Sequence, residues 1–552
     1  MPYLPYLGSP RKLSSSDLTD SMAAKTSVGE GATPDPIQKL NADAESLRRE
    51  AESSLEYAAK LEEENQRRQT QIKLLEQQST PMTVHNLTVH GAPNTRRAFL
   101  DPILSPIVAP SANAATTLGD ISYRLQTASS KLDRLGIFQP APKIFLNSAD
   151  QTNPSSTPTD VDIDILLAEL PRYKFNAGTD VGNSEGSAFT SLLWRNIFGG
   201  AEQLSLNAST GTRTRSAYTA ELSAPVASDP DCRVALEILS SAADKPWASH
   251  EEVLRGGSLR YQWLSPNRDM HSIEYTALWR QLTSLGPGAS PTVRADAGDS
   301  LKSSLRHIFR RDTRNNPQLP QRGYHVRTTS ELAGVGPLGG DVAFSKSELE
   351  LGGAVPLSQR APGVSLGAGL RLGALCPLPL GFASTAAIAP SRLNDRFQLG
   401  GPTDVRGFKL GGLGPHDGPD AVGGDLFAAG SLNLLFPLPY RGPDSALRMQ
   451  LFANAGRLVA LKPSAAAGGD KQGRQGEGQG QSADMTPASV ARGLAHAVGD
   501  LVSGPPSVAA GVGLVYAHPV ARFELNFSLP LVVRRGEVGT KGVQVGVGIN
   551  FL

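Results

Sequence analysis

A single arginine, Arg406, stands between Val405 and Gly407-Phe408 in a run, Leu399 to Leu426, where glycine recurs every few residues. Glycine lets a backbone turn tightly, and a guanidinium fixed in such a turn suits a forked, charge-assisted contact with a carboxylate. That is binding chemistry rather than turnover. Nine histidines are scattered without metal-ligand spacing, and no cysteine lies near a plausible histidine partner. The glycine-rich GVGPLGG is followed by no Gly-Lys-Ser/Thr, so it makes no nucleotide cradle. His416 and Asp417 meet in GGLGPHDG without a nucleophilic serine or cysteine motif. These patterns describe a protein that is not an enzyme and uses no metal and no cofactor.

The elements that must hold Arg406 are strands. The chain has 552 residues, of which 57 are Gly and 41 Pro, so turns are many and long helices few. A net charge of +1 gives no electrostatic case for nucleic acid. No stretch approaches the roughly eighteen consecutive apolar residues of a spanning helix, yet a barrel remains open because its strands alternate. The N-terminus, MPYLPYLGSPRKLSSSDLTD, predicts neither a secretory signal nor a matrix presequence. Cys232 and Cys376 suit a chain with no disulfide framework, and both are expected as free thiols.

From Arg172 onward apolar and polar residues alternate strictly. In RFELNFSL, Phe523, Leu525, Phe527 and Leu529 share one face, with Glu524, Asn526 and Ser528 opposite. Such segments run about 9 to 12 residues, enough to cross a bilayer when tilted. Sixteen are expected: 172–181, 187–198, 202–210, 215–226, 232–241, 254–264, 270–283, 299–311, 322–335, 341–355, 363–374, 424–436, 446–459, 507–517, 521–533 and 541–552. Connections on one rim are mostly short and on the other mostly longer. The Arg406 loop, 375–423, is the sixth on the long side, and 460–506, with its polar tract GGDKQGRQGEGQGQSAD, reads as a disordered loop. Its flank SVARGLAHAVGDLVS is either an amphipathic helix at the membrane surface or a structureless linker.

Upstream, 1–35 is rich in Ser, Thr, Gly and Pro and expected to be disordered. Residues 36–78 carry an imperfect heptad, either a partner-binding helix or a solvated single helix. Between 82 and 171 the pattern is strand (VHNLTVHG), helix (95–104), helix (120–135), strand (KIFLNS) and strand (DVDIDILLAEL).

The run LGGPTDVRGFKLGGLGPHDGPDAVGGDL, with FAAGSLNLLFPLP after it, resembles the sixth outer loop and following strand of the BamA superfamily of barrel-assembly proteins, and most nearly the central barrel subunits of the mitochondrial sorting and assembly machinery. The resemblance implies an all-β fold, a 16-stranded antiparallel transmembrane barrel (172–552), preceded by one small α+β polypeptide-transport-associated domain (82–171) and the N-terminal extension. It implies insertion of β-barrel precursors into the mitochondrial outer membrane through a lateral gate between the first and last strands. The N-terminal domain would lie in the intermembrane space and the 460–506 loop in the cytosol. Partners would be the precursors, accessory subunits of the complex and the lipid bilayer.

The resemblance also assigns roles. Val405, Arg406, Gly407 and Phe408 form the loop motif, expected to fold into the lumen and brace the wall opposite the seam. Bacterial relatives carry Asp where FANAG has Asn454, so the partner of Arg406 is left among Asp425, Asn454 and Glu524. The last strand has Gln544, Gly546, Ile549 and Phe551 at the spacing of the precursors' own sorting signal, which would make this chain a client of its own machine. Tyr173, Phe175 and Ala177 of the first strand form the other side of the gate. The rival readings are a chloroplast-envelope relative that translocates or inserts preproteins and a passive outer-membrane pore.

Overall fold

The computed structural model describes residues 62, 65, 66, 78–108, 116–149, 157–182, 185–357, 363–381, 388–439, 442, 445–461, 486–518 and 521–548. The expected disorder of 1–35 and nearly all of the 36–78 heptad lie outside these residues, as do Ile549 and Phe551.

The first folded elements are β1 (Thr83–His90), α1 (Arg97–Val108), α2 (Leu118–Leu135), β2 (Lys143–Ser148) and β3 (Asp160–Leu166), in the order the sequence predicts. The sheet order is β1-β3-β2, with β3 parallel to β1 and antiparallel to β2. Central β3 alternates, turning Val161, Ile163 and Ile165 onto the helices. The Thr117 side chain and Asp120 form a capping box at the start of α2, and Gly136 ends it in the left-handed conformation. Helix α1 runs four residues past its expected end at Leu104, through Pro106. Proline there forfeits one backbone bond, but Phe99, Leu100, Ile103, Leu104 and Ile107 form one buried stripe whose packing outweighs that loss.

The rest is one sixteen-stranded antiparallel sheet. Its first eleven strands are β4 (Tyr173–Gly182), β5 (Glu185–Arg195), β6 (Gln203–Gly211), β7 (Thr214–Val226), β8 (Asp229–Lys245), β9 (His250–Leu264), β10 (Met270–Thr283), β11 (Gly298–Asp312), β12 (Gly323–Ala333), β13 (Phe344–Pro356) and β14 (Ser365–Pro377). A two-stranded ribbon, β15 (His416–Asp417) and β16 (Asp420–Ala421), lies inside the long connection that follows. The sheet resumes with β17 (Leu426–Pro437), β18 (Leu447–Val459), β19 (Ser507–Ala517), β20 (Arg522–Val532) and β21 (Gly542–Gly548). Two short or medium helices sit in loops, α3 (Pro291–Ala295) and α4 (Pro487–Ser503).

Leu259, Ile273, Leu305, Leu432 and Phe527 are exposed on the outer face, whereas Glu274, Arg280, Gln450, Glu524 and Asn526 are buried on the inner one. That inversion of the soluble pattern is the signature of a barrel that meets lipid outside and polar groups inside. No described helix is long and apolar enough to cross a membrane. Both cysteines are free. Alkaline carbonate should therefore leave 172–552 in the membrane pellet, because strands closed on one another cannot leave lipid without exposing backbone. Release into the supernatant would rule out the barrel.

The long connections cluster at 284–297, 334–343, 378–425, 460–506 and 533–541, while the same rim between β4 and β9 is crossed by 183–184, 212–213 and 246–249. The expected disorder of 460–506 is corrected in part: 487–503 form α4, capped by Thr486 and Ser489. A low-complexity neighbour does not prevent a helix when a capping box and a barrel wall stabilise it.

Candidate functional site

Residues 388–425 of the long connection after β14 enter the barrel and are held at both walls. On one side Arg280 of β10 makes a two-pronged contact with Asp395 at 2.6 and 3.2 Å, and Lys346 donates to the Asp395 carbonyl at 2.9 Å. On the other side Arg406 donates through Nε to Glu524 Oε2 at 2.9 Å and through Nη2 to Oε1 at 3.1 Å. Neither side chain of this second pair has exposed surface.

Glu524 collects further donors. Arg522 Nη2 lies 2.5 Å from it, Asn526 donates at 2.7 Å and Gln450 at 3.1 Å. The guanidinium carbon of Arg406 also stands 5.2 Å from the centre of the Phe452 ring. Of the three partners considered for Arg406, Glu524 takes the charge. Asn454 accepts from the backbone N–H of Arg406 at 3.0 Å when its amide oxygen faces the loop. Asp425 instead accepts from Ser391 Oγ at 2.5 Å and Leu461 N–H at 2.8 Å, pinning the foot of the loop.

The rest of the motif is fastened to the last hairpin. Gly407 N–H donates to Gln544 Oε1 at 2.8 Å, and Gln544 Nε2 donates to the Phe408 carbonyl at 3.3 Å. Thr540 N–H donates to the Gly407 carbonyl at 2.8 Å, and Lys409 and Gly412 bond the Val538 backbone on either side. Val405 and Phe408 are fully buried in a cluster with Leu399, Leu413, Leu458 and Ala509. Asp395 of this loop meets β10, β11 and β13, across the barrel from the seam as expected of the loop, whereas the Val405–Phe408 motif itself binds β18, β20 and β21, the last of which forms one side of the seam. Sequence alternation placed Glu524 and Gln544 on one face but could not supply the twist and register that bring them beneath a loop more than a hundred residues upstream.

Gly407 has φ +88°, and a Cβ there would fall 2.5 Å from the Ala509 Cβ. Gly511 and Gly513 are part of the same accommodation, since a Cβ on Gly513 would fall 1.9 Å from Asn526 Oδ1. The alternation Gly511-x-Gly513 was a sequence signal of that clearance. Gly546 pairs with Glu524 across β20 and β21. On the first strand Tyr173 and Phe175 point outward, Phe175 being 67% exposed, and Ala177 is exposed on the same face. Among the described residues no ladder joins β4 to β21, although their Cα atoms approach within 8 Å. No cluster of three or more possible metal ligands occurs among them. His416 and Asp417 serve the loop, His416 with the Gly414 carbonyl at 2.9 Å and Asp417 with Thr292 Oγ1 at 2.6 Å.

A sixteen-stranded barrel with a lumen-inserted loop and a small α+β module before it defines an outer-membrane barrel of the assembly-factor class. Residues 196–551 match the Omp85 superfamily domain. A SAM50-like protein of Schizosaccharomyces pombe is 37% identical over 87% of this chain and 93% of its own length. The human sorting and assembly machinery component 50 homolog is 32% identical over 79% and 85%. The crystal structure of BamA from Haemophilus ducreyi lacking POTRA domains 1–3 is 15% identical, covers 85% of this chain and 84% of that one, and superposes with a TM-score of 0.62, which shows the shared fold. The chain belongs to the sorting and assembly machinery component 50 family within the Omp85 superfamily.

Proposed function

We propose that this protein inserts and folds β-barrel precursors in the mitochondrial outer membrane, admitting client strands at a lateral gate between β4 and β21. The observation that carries the reading is the seam. Among the described residues every other neighbouring pair of strands is laddered, while β4 and β21 approach within 8 Å without a ladder. Unpaired N–H and C=O groups inside a bilayer cost several kcal/mol each, so an incoming strand that pairs with them gains what the idle seam lacks. Pairing by β-augmentation also lets each later hairpin satisfy its backbone before it meets lipid. Exchange of one strand pairing for another is close to neutral, so no nucleotide is required and burial of the client drives the reaction.

The loop motif gives this gate a fixed reference. Gln544 belongs to the gate strand and also holds the Gly407-Phe408 backbone, so displacing β21 would strain the same contacts that hold Arg406 on Glu524. The module at 82–171, read as a polypeptide-transport-associated domain, is tied to the short-turn rim by Asn196 with Thr95 at 3.0 Å and Arg96 with Glu202 at 2.9 Å. In this reading it faces the intermembrane space at the gate end, with accessory subunits of the sorting and assembly complex on the cytosolic rim. A lumen bridged by the loop from β10 to β20 argues against a passive pore.

Paired cysteines scanned across 173–180 and 542–548, with Cys232 and Cys376 replaced by serine, test the gate. Once a pair that forms a disulfide is found, oxidation should block precursor insertion and reduction should restore it, because a bond of about 2 Å cannot admit a strand at about 4.8 Å spacing. Undiminished insertion with the seam locked would send the client by another route.

A further inference from the structure

Helix α4 lies on the outside of the barrel. In β18 the lumenal residues are Arg448, Gln450, Phe452 and Asn454, so Arg457 faces outward. In β17 Phe427 packs on Phe397 of the lumenal loop at 4.8 Å, so its neighbour Leu426 also faces outward. Other outward residues on these strands are open, Leu432 at 56% and Leu451 at 46%, yet Leu426 is only 4% exposed and Arg457 only 7%. Their cover is α4, which packs against β14, β17 and β18. Its terminal Gly504 sits so close that a Cβ there would fall 1.5 Å from Arg457 Nη1.

At 100° per residue the helix divides into four sectors. Ser489, Gly493 and Ala497 are buried toward the wall, their small size permitting close approach. Val490, Leu494 and Leu501 come next and are half-buried, and beyond them Ala491, Ala495, Val498 and Val502 are exposed, Val502 at 80%. Arg492, His496, Asp500 and Ser503 form an exposed polar flank on the other side. A helix with one wet flank and one open apolar flank matches the in-plane membrane helix rather than a loop helix in water. Arg457 adds a second observation. Its Nε and Nη1 have no hydrogen-bond partner among the described residues, and it sits at the helix C-terminus, where carbonyl dipoles attract a cation. An outward arginine at the end of a spanning strand is placed at headgroup depth.

We propose that α4 is an interfacial helix of the long-loop rim, clamped to the wall by its small-residue stripe, with Val498 and Val502 among phospholipid acyl chains. The apolar flank extends the lipid-facing surface that Leu432 and Leu451 already present, so lipid is the occupant. This rests on the membrane-barrel reading. The test uses the full chain in phosphatidylcholine bilayers with Cys232→Ser and Cys376→Ser, and an environment-sensitive dye on Val502→Cys, His496→Cys or Leu432→Cys in turn.

Lipids brominated in their acyl chains should quench the dyes at positions 502 and 432 about twofold or more beyond that at 496, and aqueous iodide should show the reverse order. Quenching at 432 with iodide access at 502 would overturn the proposal and leave the barrel standing. A dye at 502 shielded from both quenchers would overturn it too, since protein would then cover the flank. Absence of lipid quenching at 432 would instead overturn the barrel in the membrane.

Discussion

Replacing Glu524 by alanine should destabilise the barrel by about 3–5 kcal/mol, the usual cost of removing one member of a buried ion pair. Arg406 and Arg522 would be left facing each other with no carboxylate between them, and each has given up its water to reach that position. Arg406→Ala should cost less, about 1.5–3 kcal/mol, because Arg522 at 2.5 Å still neutralises Glu524. Arg406→Lys should recover little of the loss, since an ammonium cannot make the two-pronged contact. The midpoint of heat-induced mobility change in gel electrophoresis, with assembly of newly imported barrels beside it, measures the ranking. An Arg406→Ala variant worse than Glu524→Ala would mean that the carboxylate is not the hub.

Gly407→Val should detach the loop motif from the last hairpin. A branched residue at φ +88° carries about 1–3 kcal/mol of backbone strain, and its Cβ would fall 2.5 Å from that of Ala509, which adds an overpacking cost of similar size. Both hydrogen bonds of the Gly407 backbone, to Gln544 and Thr540, would be strained together. Gly418→Ala supplies the control. Gly418 has φ +60° in the same loop, but a Cβ there meets no atom within 4 Å, so the change should cost no more than about 1 kcal/mol. Limited proteolysis of the folded barrel should then cut between Leu399 and Leu426 in the valine variant and not in the alanine one. Equal resistance of both would show that the motif does not depend on its contact with β19 and β21.

Strand positions were legible because a barrel wall separates two solvents, and alternation such as Phe523-Glu524-Leu525-Asn526 records that separation residue by residue. The ends of β10 and β19 agree with the sequence expectation, while β8 extends beyond it at both ends and β9 at its start, so that the two strands lengthen together toward their shared turn at 246–249. The order of the small α+β module and the place of the Arg406 loop as the sixth connection on its rim were equally local properties. Helix α4 was half legible: its composition allowed a surface helix or a linker, and only the wall beneath Ser489, Gly493 and Ala497 decides between them.

By itself the sequence determined a sixteen-stranded barrel, one module ahead of it and a glycine-rich loop bearing a single buried cation, because each of these follows from periodicity or from backbone conformations that few residues adopt. Tertiary structure alone decided which carboxylate meets that cation. Asp425, Asn454 and Glu524 were chemically plausible partners, and the choice depends on how β18 and β20 stagger and curve, a property of sixteen paired strands together rather than of any segment. The same closure turned Gln544 from a letter in a C-terminal pattern into the clasp of the loop on the gate strand, because strands far apart in the chain become neighbours only when the sheet wraps around.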